Sequence, residues 1–200
     1  MHPAALPIEQ LLKDVEYRTS RGSGPGGQHR NKTETMANFT HRPTGIHAKA
    51  GERRSLDVNR VEGIPRLRLN LALRHREPLP GLAPPTASPA ASDQATGAAR
   101  GAAPSGAPAT GGPPPLYEPS ALWRSRLRGT SLPVSVDHDD FPGLLAEALD
   151  VLAHHADDVP AAARTLGLTT SQFVKFLARE PAALAELNGR RTAHGKPPLR

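Results

Sequence analysis

Apolar and polar positions along the chain fall into three patterns. Residues 8–17 (IEQLLKDVEY) make a short amphipathic stretch leading into Arg18-Thr19-Ser20-Arg21. Thr35–His41 alternates weakly, as a strand does, and Ile46-His47-Ala48-Lys49-Ala50 alternates cleanly, apolar on one side and basic on the other. Arg42-Pro43-Thr44-Gly45 between them has Pro early and Gly late, the order a tight turn favours. Together they predict a β-hairpin with a cationic face. Ser55 can cap a helix beginning at Leu56, with Val58, Val61, Ile64, Leu67 and Leu71 at spacings of three to four. Gly63 and Pro65 interrupt that helix, and an internal Pro costs about 3 kcal/mol. Leu67, Leu69, Leu71 and Leu73 also alternate as a strand would, so the pattern leaves both open. The reading taken is a helix broken near Gly63-Ile64-Pro65.

Helical periodicity returns at residues 141–155, where Phe141, Leu145, Ala148, Leu149 and Leu152 share one face. Asp158 can cap a helix through Ala161–Leu166, ended by Gly167, and Thr169-Thr170-Ser171 starts another over 172–179, stopped by Pro181. Ala163, Gly167 and Phe173 occupy the small, turn and core positions of a helix-turn-helix. Between the two patterned regions, residues 79–116 hold almost nothing but Pro, Gly, Ala, Ser and Thr and have no period. Pro and Gly, at 22 and 18, make up a fifth of the 200 residues, too much for a core that runs the whole length. The expected organisation is a small α+β unit over 1–78, a twisted sheet with a packed helix. A disordered linker follows over 79–116, then a small all-α, helix-turn-helix-like domain over 117–200. A coil of that length would hold the two apart by roughly 35 Å or more.

Charge is distributed as unevenly as hydrophobicity. The net +6 comes from residues 1–78, with 14 Lys/Arg against eight Asp/Glu; residues 117–200 carry ten of each. A polyanion is therefore the expected partner of the first unit. The absence of Cys excludes disulfides, thiolate catalysis and Cys-ligated zinc. No apolar run approaches the roughly 20 residues of a membrane span, and the N-terminus lacks the basic-then-apolar layout of a signal peptide. A cytoplasmic protein with no membrane partner is expected.

Gly22-Ser23-Gly24-Pro25-Gly26-Gly27 formally fits G-x-G-x-x-G, but EYRTSR before it and QHRNKTE after it supply neither the apolar strand nor the helix that a dinucleotide site needs. A Walker A loop fails for want of Gly-Lys-Ser/Thr. What remains is a glycine tip bearing one polar side chain, Gln28, inside a collar of Arg18, Arg21, Arg30 and Lys32. That layout suits a narrow, phosphate-lined cavity.

These residues carry a resemblance. Ser23-Gly24-Pro25-Gly26-Gly27-Gln28, Asn31-Lys32-Thr33, His41-Arg42-Pro43-Thr44-Gly45-Ile46 and Arg54-Ser55 with Asn59-Arg60 resemble, in order and spacing, the catalytic domain of class I peptide chain release factors. The resemblance covers roughly residues 16–76. It implies a small α/β unit carrying Gly-Gly-Gln on a loop, and hydrolysis of the ester joining a nascent peptide to P-site tRNA. The partners implied are ribosomal RNA of the peptidyl transferase centre and that peptidyl-tRNA, with no cofactor or metal. Gly26, Gly27 and Gln28 are then the catalytic residues. The glycines adopt angles closed to residues with a Cβ, and the Gln28 N–H faces the leaving 3′-hydroxyl while its side chain screens out nucleophiles larger than water. Arg21, Arg30, Lys32, Arg42 and Arg54 would hold rRNA phosphates, with Asn31, His41, Ser55, Asn59 and Arg60 in the same RNA-binding set. Each cation could equally be a solvated surface charge, and Asn31 and Asn59 could equally satisfy local backbone groups. With 200 residues there is room for neither a codon-reading domain nor a large N-terminal helical region, so the chain resembles the short, codon-independent rescue hydrolases. Their Lys/Arg-rich tail is only thinly represented in Gly189–Arg200.

The helical part carries less chemistry. His138-Asp139-Asp140 and His154-His155 with Asp157-Asp158 could suggest a metal, but capping accounts for the acids. Trp123 among Arg124, Arg126 and Arg128 could stack on RNA, though an anchor in the helical core is the preferred role. The leading expectation is a monomeric peptidyl-tRNA hydrolase acting in termination or rescue, with an unidentified partner for the helical domain. A non-catalytic RNA- or ribosome-binding protein is the first alternative and a helix-turn-helix DNA-binding regulator the second.

Overall fold

The computed structural model describes residues 1–21, 33–79 and 117–199. A 3-10 turn (Pro3–Ala5) and helix α1 (Ile8–Lys13) lead into strand β1 (Val15–Ser20). Strands β2 (Met36–His41) and β3 (His47–Ala50) complete an antiparallel sheet in the order β1-β2-β3. The expected hairpin is present: Gly45, at φ +69°, closes its turn by donating to the His41 carbonyl at 2.8 Å. Strand β1 replaces the second half of the amphipathic stretch read at 8–17. It lies at the sheet edge with little of its surface buried, so its side chains carry almost no burial-driven alternation to read.

Helix α2 (Leu56–Arg74) packs across one sheet face and runs unbroken through Gly63-Ile64-Pro65, correcting the expected break. Pro65 is exposed, and its i−4 partner Val61 is 69% exposed. The carbonyl deprived of a donor therefore faces water, which satisfies it. Gly63 points the other way. A Cβ there would meet Phe39 Cε2 at 2.3 Å, so glycine is what lets α2 settle on the sheet. Leu67 and Leu71 are fully buried, one helical turn apart, while Leu69 and Leu73 are only half-buried, which decides helix over strand.

The remaining helices are α3 (Ala121–Arg126), α4 (Phe141–His154), α5 (Val159–Thr165), α6 (Thr170–Leu177) and α7 (Pro181–Ala193). The expected caps are seen: Asp158 accepts from the Ala161 N–H at 3.1 Å and Thr169 from the Gln172 N–H at 3.2 Å. Gly167 takes φ +72° between α5 and α6, as a helix-turn-helix corner requires. Pro181 opens α7 at its first turn, where a missing N–H costs nothing. Trp123 is the core anchor: its indole N–H donates to the Leu166 carbonyl at 3.0 Å and its ring meets Phe176 edge-on at 5.9 Å.

Residues 80–116 lie outside the described residues, and the separation expected across them does not hold. Helix α4 packs on α2 and on the 3-10 turn, and one buried cluster runs from Phe39 through Leu67 and Leu71 to Phe141 and Phe176. The expectation failed because α4 is buried nearly all round rather than along one stripe, and a helix of that kind needs cover from a second layer. Gly143 gives the closest approach, where a Cβ would stand 3.0 Å from Ala5 Cα. Asp150 accepts from the Glu77 N–H across the seam at 3.2 Å, and on the near side Arg68 donates to the Ala4 carbonyl at 3.1 Å and His2 lies 3.4 Å from the His75 carbonyl.

Replacing Gly63 by Ala should destabilise the fold by about 1–2 kcal/mol in urea denaturation, although Ala is the better helix former by about 1 kcal/mol. Pairing it with Phe39→Leu should recover part of the loss; a more stable Gly63→Ala protein would contradict the contact.

Two seam residues give opposed pH dependences. Burial pushes the Asp150 carboxyl up to about 7, so stability falls as pH rises from about 4 to about 7, where the unfolded chain binds fewer protons. Burial lowers His2 to about 4, so stability falls as pH drops from about 6.5, where the unfolded chain binds more. Asp150→Asn removes the first dependence and leaves the second. The variant should melt higher than wild type near pH 8 and lose Tm more steeply on acidification from about pH 6.5. Parallel curves of Tm against pH would rule this out.

Candidate functional site

The last rung of the β1–β2 ladder pairs Ser20 with Met36, so residue 21 and residues 33–35 leave the sheet side by side. They form the stem of the segment that carries the catalytic candidates. Gly26, Gly27 and Gln28, with Arg30, Asn31 and Lys32, lie outside the described residues. The stem itself is tied across. Arg21 stands 3.8 Å from Glu34, Thr19 donates to the same carboxylate at 3.2 Å, and Asn38 donates to the Ser20 hydroxyl at 2.9 Å.

The main brace is Asn59, in the first turn of α2 and fully buried. Its amide donates to the Thr35 carbonyl at 2.6 Å and to the Arg53 carbonyl at 2.8 Å, and accepts from the Arg53 N–H at 2.9 Å. One side chain thus joins the stem, the connection after β3 and the start of α2. Of the two roles left open for Asn59, the geometry is that of satisfying local backbone groups. The same bonds bring Arg53, Arg54 and Ser55 to the stem end of the sheet. Arg53 pairs with Glu62 at 2.9 Å, whereas exposed Arg54 has no carboxylate partner among the described residues. Ser55 precedes α2 without a capping bond from its side chain. Arg66 holds the Glu52 carboxyl down to about 2 by a hydrogen bond at 2.7 Å, which pins the same connection from its outer side.

Not every candidate gathers there. His41 and Arg42 stand at the far end of β2, whose six residues span about 17–20 Å. His41 is buried, shares a hydrogen bond of 2.8 Å with Thr44, and is held below the usual histidine range by that burial. Arg42 is exposed and donates to the Lys13 carbonyl. Arg60, one position past Asn59, lays its guanidinium 5.4 Å from the centre of the Tyr17 ring. Glu34, Thr35, Asn38 and Arg53 were missed by the sequence reading. Each acts through a backbone group or a cross-strand neighbour, which spacing does not reveal.

Residues 6–82, which include both stem strands and all of α2, match the RF-1 domain. Over 66 residues the chain is 44% identical to peptide chain release factor 1 of Caldicellulosiruptor saccharolyticus, a stretch covering 33% of this chain and 19% of that protein. It is 44% identical over 66 residues to peptide chain release factor 2 of Helicobacter pylori (strain Shi470), 18% of whose length is covered. Residues 6–82 belong to the class I release factor catalytic domain family. The chain thus spans under a fifth of the length of the curated relatives it matches. Within the release factor domain, Asn59 fixes the base of the Gly-Gly-Gln segment to the helix that covers the sheet.

Asn59→Ala leaves an N–H and two carbonyls without their partner in a part-buried place, where water reaches some of them, so the total stays below the sum of the about 1–3 kcal/mol that each fully buried group would cost. The expected result is a total loss of about 2–3 kcal/mol and much faster hydrogen exchange at the Arg53 amide, with the β2–β3 amides unaffected. Unchanged exchange at Arg53 would show that the brace is dispensable.

Proposed function

We propose that this protein hydrolyses the ester of P-site peptidyl-tRNA on the ribosome, in termination or in rescue of stalled ribosomes. The observation that carries the reading is a release factor domain that has Gly26-Gly27-Gln28 in the sequence joining β1 to β2, between stem residues braced by Asn59. Water adds to the ester carbonyl, the tetrahedral intermediate collapses, and the 3′-oxygen of the tRNA leaves with a proton. The Gln28 N–H faces that leaving oxygen, and the Gln28 side chain limits the nucleophile to water. The sequence offers no Ser/His/Asp or Cys/His set in this domain, which fits chemistry whose remaining groups come from ribosomal RNA and the tRNA. Arg21 and Arg54 at the stem end meet rRNA phosphates in this reading, and Arg30 and Lys32 share that role. The reading places the protein in the cytoplasm, acting as a monomer. Among the described residues no helix is long and apolar enough to cross a membrane.

Single-turnover release of labelled peptide from saturated, stalled ribosomes tests this. Gln28→Ala keeps its backbone N–H and should retain measurable release while admitting larger nucleophiles such as hydroxylamine. Gly27→Ala disfavours the positive φ that the family resemblance implies there and would displace the donor. It should lose about 10²–10³ in rate, the usual effect of removing one oxyanion-type donor, with ribosome binding unchanged. A wild-type protein that binds ribosomes yet releases nothing, with any codon or none in the A site, refutes the hydrolase and leaves a non-catalytic ribosome binder.

A further inference from the structure

Residues 117–200 are neutral in sum but not in arrangement. Most of their acids are engaged inside the fold. Glu147 accepts from the Tyr117 hydroxyl at 2.7 Å and from the Ser120 hydroxyl at 2.6 Å, and Asp150 accepts from the Glu77 N–H. Asp157 and Glu186 both hold Arg190, at 2.8 and 2.6 Å. Asp158 and Glu180 cap helices. Asp140 pairs with Arg126 at 2.5 Å, and Asp137 and Asp139, close before it in the chain, are exposed.

The cations around the corner between α5 and α6 are left over. Leu127 Cδ2 would lie 3.5 Å from a Cβ at Gly167, and the Trp123 indole reaches the Leu166 carbonyl, so the end of α3 seats against that corner. Arg128 just past α3, Arg164 on α5 three residues before Gly167, and Lys175 on α6 are exposed and have no carboxylate partner among the described residues, Arg128 donating only to the Ser125 and Leu127 carbonyls at 3.2 Å. Arg124 has only the exposed Glu118, at 3.2 Å. Phe173, Val174, Phe176 and Leu177 turn one side of α6 into the core, which leaves Ser171 and Lys175 outward.

We propose that this corner, formed by Arg124, Arg128, Arg164 and Lys175, is a second RNA-binding face that grips phosphates of folded RNA. The exposed side of α6 offers the hydroxyls of Thr170 and Ser171 and a single cation but no Arg, Asn or Gln free for bidentate contact with base edges; Gln172 is half-buried. Such a face positions a backbone rather than reads a sequence, which separates it from a DNA-reading helix-turn-helix. The inference goes beyond the proposed hydrolysis and does not require it.

The test measures affinity of the full chain for a synthetic RNA hairpin, and for a DNA duplex of the same sequence, across a salt series. Arg128→Gln/Arg164→Gln/Lys175→Gln should lower the slope of log K against log salt by about 2–3, since each lost phosphate contact removes about 0.9. Arg191→Gln/Lys196→Gln, elsewhere on the same unit, should leave the slope as it is. Thermal melting of all three proteins should coincide. An unchanged slope in the triple variant overturns the proposal, and so does an equal fall in the control pair. Tighter binding to the DNA duplex, lost in the triple variant, overturns it in favour of a DNA reader. Peptide release at saturating protein should survive the triple substitution, so a wild-type chain without release activity counts against the hydrolase reading alone.

Discussion

The approach of α2 to the sheet rests on the contact between Gly63 and Phe39. A residue with any side chain at 63 would place a carbon 2.3 Å from the Phe39 ring, so the helix would have to lift or the ring to turn. Interiors packed like crystals do not absorb that displacement locally. Lifting α2 would draw Asn59 away from the Thr35 carbonyl, because Asn59 sits one turn before Gly63 on the same rigid helix. The stem of the Gly-Gly-Gln segment is therefore set by a glycine that touches none of it.

The other half of α2 is held from outside. Towards its C-terminus, Arg68 and Ala72 are covered by the 3-10 turn and α4, and Glu77 follows into the seam with Asp150. A helix pinned at one end by the sheet and at the other by a second helical layer has little freedom to tilt. Helix α4 makes this possible because glycine at 143 brings its backbone against Ala5. Two glycines on two helices thus fix two layers, Gly63 where a methyl group would clash and Gly143 where it would press on Ala5.

Much of this was legible in the sequence, and the parts that were not share a cause. The hairpin, the caps at Asp158 and Thr169, and the corner at Gly167 were readable because each is decided by residues within a few positions of one another. The release factor domain was readable because its motifs lie in one order over a short span. Strand β1 escaped because an edge strand buries too little to alternate. The continuity of α2 escaped because the local cost of Pro65 is removed by an exposed carbonyl one turn back, and exposure is a tertiary fact. The docking of α4 on α2 escaped for a related reason: a segment rich in Pro and Gly says how far two units can separate, not whether their surfaces match. Asn59 was seen as a polar residue in the right family position, but its three backbone partners come from two separated segments that only the fold brings together.

Coverage of α2 also leaves its two ends unlike, one open beside the stem and the other braced. The face of the helix that buries Arg68 and Ala72 continues towards the N-terminus as Val58 and Val61, which are 43% and 69% exposed. The helical layer stops short of them, so the turn of α2 that carries Asn59, and the stem beside it, remain open to solvent on that side. Had α4 packed one or two turns earlier, it would have covered Val58 and Val61 and crowded Arg54 and Arg60. Its position instead braces the helix from the end remote from the stem. Bracing from the remote end holds the stem rigid without adding bulk near Arg21 and Arg54.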